Sequence, residues 1–87
     1  MTWNLENLEW LPWPKNGHIY ADIPGLARIS KVGSSYSLRR FDPGDEPYLP
    51  TGPRFSDINL DRLHEVLEMI AAEIGFDSSS YKETAPL

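Results

Sequence analysis

The chain of 87 residues contains no cysteine, which excludes disulfide staples, thiolate metal sites and thiol nucleophiles and makes a reducing cytoplasm the expected setting. It has only two histidines, His18 and His64, and neither has a second ligand at a metal spacing such as His-x-x-x-His. Surface roles are expected for both. No glycine-rich phosphate loop, nucleophile elbow or zinc-protease motif is present. Nothing approaches the roughly 20 apolar residues that span a bilayer, and residues 1–14 lack the basic start and apolar run of a signal peptide. These absences lead us to expect a single non-enzymatic domain with no catalytic residue, cofactor or metal, acting away from membranes.

Positive charge is scarce as well. Eight basic residues face 13 acidic ones, a formal net charge of −5. Its distribution is uneven. Residues 15–41 hold Lys15, Arg28, Lys31, Arg39 and Arg40 against Asp22 alone, a net of four positive charges that leaves nine net negative charges on the rest. A basic sheet and an acidic helix are therefore expected to make the molecule two-sided.

What the chain does have divides it into three regions. Residues 1–14 carry all three tryptophans with Leu5, Leu8 and Leu11 and end at Pro12 and Pro14, and are read as a tryptophan-rich arm. Trp10 is assigned to the core; Trp3 and Trp13 are left open between core and interface. Residues 15–76 form the expected βββα domain, and 77–87, polar and carrying Ser78, Ser79 and Ser80, a disordered tail.

Within the domain, His18 to Ile23 alternates with a period of two: Ile19, Ala21 and Ile23 share one face, and His18, Tyr20 and Asp22 the other. Pro24-Gly25 and Gly33-Ser34 are turns that separate this strand from Leu26–Val32 and Ser35–Phe41. Residues 42–53, with four prolines and two glycines, are expected to form an ordered loop whose Asp42, Asp45 and Glu46 lack the ligand order of a calcium site. Leu60, Leu63, Leu67, Ile70 and Ile74 then mark a helical stripe over about Asn59–Ile74, with Asp57 or Asn59 as its cap and Gly75 at its end. The expected fold is α+β: a three-stranded antiparallel β-meander packed against one C-terminal α-helix.

Two surfaces can then contact a partner. Asp61, Glu65 and Glu68, on the helix face away from the apolar stripe, can imitate the phosphates of a nucleic acid and enter a basic groove on a protein. Alternatively, Tyr20, Arg28, Arg39 and Phe41 on the open sheet face combine cations with aromatics, the mixture that contacts phosphates and stacks on bases of DNA or RNA.

The pattern of Trp10 and Trp13, Gly17-His-Ile-Tyr-Ala21, Gly25-Leu-Ala-Arg-Ile29, Gly33-Ser-Ser-Tyr-Ser-Leu38 and Phe55 before a helix ending Ala71-Ala-Glu73 resembles a group of small phage and prophage accessory proteins. It departs from them at Ala27, where tyrosine is more usual, and in its proline-rich loop. The resemblance implies three strands and a C-terminal helix, and no catalytic residues. It also implies a phage-type inhibitor in a bacterial cytoplasm, binding a host protein or ribonucleoprotein defence complex in the manner of anti-CRISPR proteins.

Overall fold

Three segments with period-two alternation pair in sequence, and two short strands extend the sheet at its edges. A computed structural model describes residues 3–13, 17–42 and 50–82. Strands β1 (Leu11–Pro12), β2 (Ile19–Ile23), β3 (Ala27–Val32), β4 (Ser35–Arg40) and β5 (Phe55–Ile58) form one antiparallel sheet in chain order, and α1 (Leu60–Ile74) follows. Among the described residues the fold is α+β with a single α-helix, but the sheet has five strands, which corrects the three-stranded meander expected from sequence.

Both additional strands are edges that hydrophobic alternation cannot signal. β1 is two residues long and includes Pro12, whose missing N–H is tolerated only at an edge. β5 pairs with β4 through Tyr36↔Ile58 and Leu38↔Phe55 with an irregular register, and its Asp57 has φ +54°, a bulged geometry outside ordinary strand patterning.

The central strands behave as their alternation dictates. Pairs Ala21↔Ile29 and Ile29↔Leu38 place these three side chains on one face, buried with Ile23 and Ala27. Helix α1 covers that face with Leu63, Val66, Leu67, Ile70 and Ala71. Its start is capped by the Asn59 side chain, which accepts the Arg62 backbone N–H at 2.8 Å. Gly75 closes it in the left-handed region at φ +70°, where a side chain would be strained. The outer ends of the expected stripe, Leu60 and Ile74, are 44% exposed each. Val66 and Ala71 are buried in their place.

The arm completes the core. Trp3 is 3% exposed, and Trp10 is half-buried against the core with its indole N–H donating to the Leu5 carbonyl at 2.9 Å. The Trp3 backbone N–H donates to His64 Nδ1 at 3.2 Å, which gives that histidine a structural partner. The polar tail returns to the arm: Trp3 bridges Lys82, and the Asn4 N–H donates to the Tyr81 carbonyl at 2.7 Å. The Asp77 carboxylate accepts from the Ser79 N–H and hydroxyl, at 3.1 and 2.8 Å, and these bonds hold its pKa below the usual carboxylate value. Of the tail read as disordered, residues 77–82 thus make defined contacts, while 83–87 lie outside the described residues. So do 43–49 of the proline-rich loop, with the carboxylates Asp45 and Glu46, and Lys15. Among the described residues no helix is long and apolar enough to cross a membrane.

Candidate functional site

The face of the sheet opposite the helix carries Tyr20 and Asp22 from β2, Arg28, Ser30 and Val32 from β3, and Ser35, Ser37 and Arg39 from β4, as the pairs Asp22↔Arg28, Arg28↔Arg39 and Ser30↔Ser37 require. Arg28 is its centre. The guanidinium makes a bidentate pair with the Asp22 carboxylate, Nε to Oδ1 at 2.7 Å and Nη2 to Oδ2 at 3.0 Å, and this hydrogen-bonded partner raises the Arg28 pKa above its usual value against the opposing effect of partial burial. Three aromatic rings surround it, with centroids 5.0 Å (Tyr20), 5.9 Å (Trp13) and 6.0 Å (Phe41) from the guanidinium carbon. Trp13 itself meets Tyr20 edge to face, centroids 5.0 Å apart at 80°.

Of the residues assigned to this face from sequence, Tyr20, Arg28 and Phe41 are brought together, and Arg39 stands opposite Arg28 in the neighbouring strand. Their accessibility differs. Phe41 is 4% exposed and sits beneath the cluster, with its backbone N–H donating to Leu26, so it braces Arg28. Arg39 donates from Nε to the Gly52 carbonyl at 2.9 Å, which leaves its terminal nitrogens uncommitted among the described contacts.

Sequence reasoning missed the shape. Because Ser30 and Ser37 have short side chains at paired positions, the middle of the face is a hollow of about 370 Å³ that also reaches His18 and the β5 rim at Ser56 and Asp57. A smaller hollow of about 90 Å³ lies toward Arg28, Arg39 and Pro50. The two share Trp13, Ser30, Ser37 and Arg54, and so form one trough across the sheet. Trp13 walls it on the β1 side. Arg54, exposed and without an ion-pair partner among the described residues, walls it on the β5 side. Ser37 shares the alternation of Arg39 and Phe41, whereas Ser30 was not assigned to a face from sequence; Arg54 follows a proline in a loop and carried no signal.

The charge asymmetry is smaller than the sequence count implies. Lys31 and Arg40 fall on the helix side of the sheet, where Lys31 lies over the Tyr36 ring at 5.8 Å and Arg40 reaches Glu73 at 3.8 Å. On the helix, Glu65 pairs with Arg62 at 3.0 Å and Glu68 pairs with Lys82, whose ammonium also lies 5.3 Å from the Trp3 ring centroid. Asp61 is exposed with no cation beside it among the described residues. The proposed acidic triad therefore consists of one free carboxylate and two already paired.

A second hollow, of about 530 Å³, lies on the covered side between the arm and the start of α1, lined by Trp3, Leu5, Trp10, Ile19, Leu60 and His64 among others. It is the seam where arm, sheet and helix meet. Among the described residues no cluster of three or more His, Asp or Glu could hold a metal ion. No family model, curated protein or solved structure matches the chain.

Proposed function

We propose that this protein is a non-enzymatic binding module that contacts nucleic acid through the open face of its sheet. The observation that carries this reading is the trough: in a chain of net charge −5, Arg28, Arg39 and Arg54 gather around Trp13 and two serines, with Tyr20 packed against Trp13 and Arg28, Asp22 engaged by Arg28, and Asp57 at the rim. Arginines position phosphates, hydroxyls add hydrogen bonds, and aromatic rings accept bases. Each element also has an ordinary structural use, and it is their convergence on one concave surface that favours binding.

The test is the salt dependence of binding to a mixture of single-stranded and duplex oligonucleotides. Changing Arg39 and Arg54 together to alanine should weaken binding and reduce the slope of log K against log salt by about 0.7–0.9 per lost phosphate contact. Absence of any nucleic-acid binding by the wild-type chain refutes the proposal.

A second reading is the phage-type inhibitor that binds a bacterial defence complex by presenting Asp61, Glu65 and Glu68. The exposed, unpaired Asp61 and the overall acidity favour it; the cations already held by Glu65 and Glu68 reduce what those two offer a partner. Capture from a bacterial lysate separates the readings. Protein partners that survive nuclease treatment and are lost on reversal of the three carboxylates support the inhibitor, and nucleic acid recovered without them supports the sheet.

A further inference from the structure

Resting on the nucleic-acid reading above, we infer that the trough takes a single strand, with a base seated against Trp13 and the adjoining phosphates held by Arg39 and Arg54. Shape is the first reason. A protein reads the bases of a duplex by inserting a helix or a two-stranded ribbon into the major groove, which demands a surface that projects. Here the centre of the face is recessed over Ser30 and Ser37 between Trp13 and Arg54, so a duplex would meet the rims and leave the floor empty. An unpaired base can enter the recess.

Charge is the second reason. Contact with duplex backbones gains affinity from counterion release, roughly in proportion to the phosphates neutralised. Arg28 is committed to Asp22, so among the described residues lining the trough only Arg39 and Arg54 are available, on a protein that is negative as a whole. Two cations bind a uniform polyanion weakly. Stacking on an aromatic ring needs no net charge and tolerates any base.

Construction of the wall is the third. The Trp13 ring packs edge to face on Tyr20 and has Arg28 5.9 Å from its centroid, and its backbone N–H anchors the strand end by donating to the His18 carbonyl at 2.7 Å. A ring braced in this way loses little freedom when a base docks. The small floor residues have a counterpart in this use: larger side chains at 30 and 37 would fill the space a base needs.

The experiment is fluorescence anisotropy of the full chain with a labelled oligodeoxythymidylate of roughly 12 nucleotides, within the range of known single-strand site sizes, and with a duplex of equal length. The single strand should bind about 10-fold or more tightly than the duplex, a gap that corresponds to at least one stacked base. Trp13→Ala should weaken single-strand binding by about 5- to 150-fold, while Trp13→Phe, which keeps a ring against Tyr20, should retain most of it. Ser37→Glu, an exposed-face change that places a carboxylate on the floor, should abolish binding with the melting curve little changed. Equal affinity for both forms overturns the single-strand inference and leaves the nucleic-acid proposal standing. Single-strand binding indifferent to Trp13→Ala and Ser37→Glu overturns the trough as its site. Binding of neither form removes both.

Discussion

The two faces of the sheet are made from the same three central strands by strict alternation, and they are built to opposite ends. On the covered face Ala21, Ile23, Ala27, Ile29 and Leu38 are closed off by Leu63, Val66, Leu67 and Ile70, and shape complementarity leaves little room for change. On the open face the same residues' neighbours are Tyr20, Arg28, Ser30, Ser37 and Arg39, partly exposed and arranged around empty space. A domain this small has little stability to spare, since hydrophobic burial scales poorly at its size. Leaving the middle of a face unfilled, with an arginine held among three aromatic rings beside it, gives up packing that a larger apolar side chain at 30 or 37 would supply. The comparison teaches that the packing that stabilises the domain is concentrated on one side of the sheet, and the proposed binding surface lies on the other.

The sharpest way to break that comparison is Leu67→Ala, at the fully buried centre of α1, which should cost about 2–5 kcal/mol in a urea or thermal melt. A loss well below 2 kcal/mol would mean that the covered face is not the principal core. Asn59→Ala, which removes the helix cap, is expected to cost about 0.5–2 kcal/mol in the same melt. On the open face Ser30→Ala should lie within about 0.5 kcal/mol of wild type. A large effect there would show that the floor serves folding. Reversal of Asp61, Glu65 and Glu68 to lysine should change stability by no more than about 1 kcal/mol for each ion pair lost, because all three carboxylates are exposed, and should leave oligonucleotide affinity undiminished.

The smallest effect concerns Asp77, whose folded pKa lies below its unfolded value because Ser79 bonds the charged form. Its contribution is therefore present above the unfolded carboxylate pKa and is lost as pH falls through the folded one. The difference in melting temperature between wild type and Asp77→Ala should be seen at neutral pH and close in acid.

Much of this architecture was legible. The 3.6-residue period fixed α1 with Asn59 and Gly75 at its ends, and alternation assigned Tyr20, Arg28, Arg39 and Phe41 to one face of three strands. The edges were not, because two residues containing Pro12 and four containing a left-handed Asp57 produce no periodic signal. Pairings across the chain were hidden for a different reason. That Lys82 would return to Glu68 and Trp3, or that Arg40 would face Glu73, depends on how the tail and strands meet the helix, which no local pattern encodes. Counting charges by segment accordingly overstated the acidic side. The trough itself arises from an absence of volume at Ser30 and Ser37 combined with Trp13 and Arg54 from distant segments, and of these only Ser37 was placed on the open face by its alternation with Arg39.

The central claim is that the open face is where the partner sits, and amide chemical-shift mapping tests it most directly. On titrating the labelled protein with the single-stranded oligonucleotide, the largest changes should fall on Arg28, Ser30, Ser37, Arg39 and Arg54 and on the Trp13 indole N–H, with α1 unaffected. Changes concentrated on Asp61, Glu65 and Glu68 and absent from β3 and β4 would contradict it.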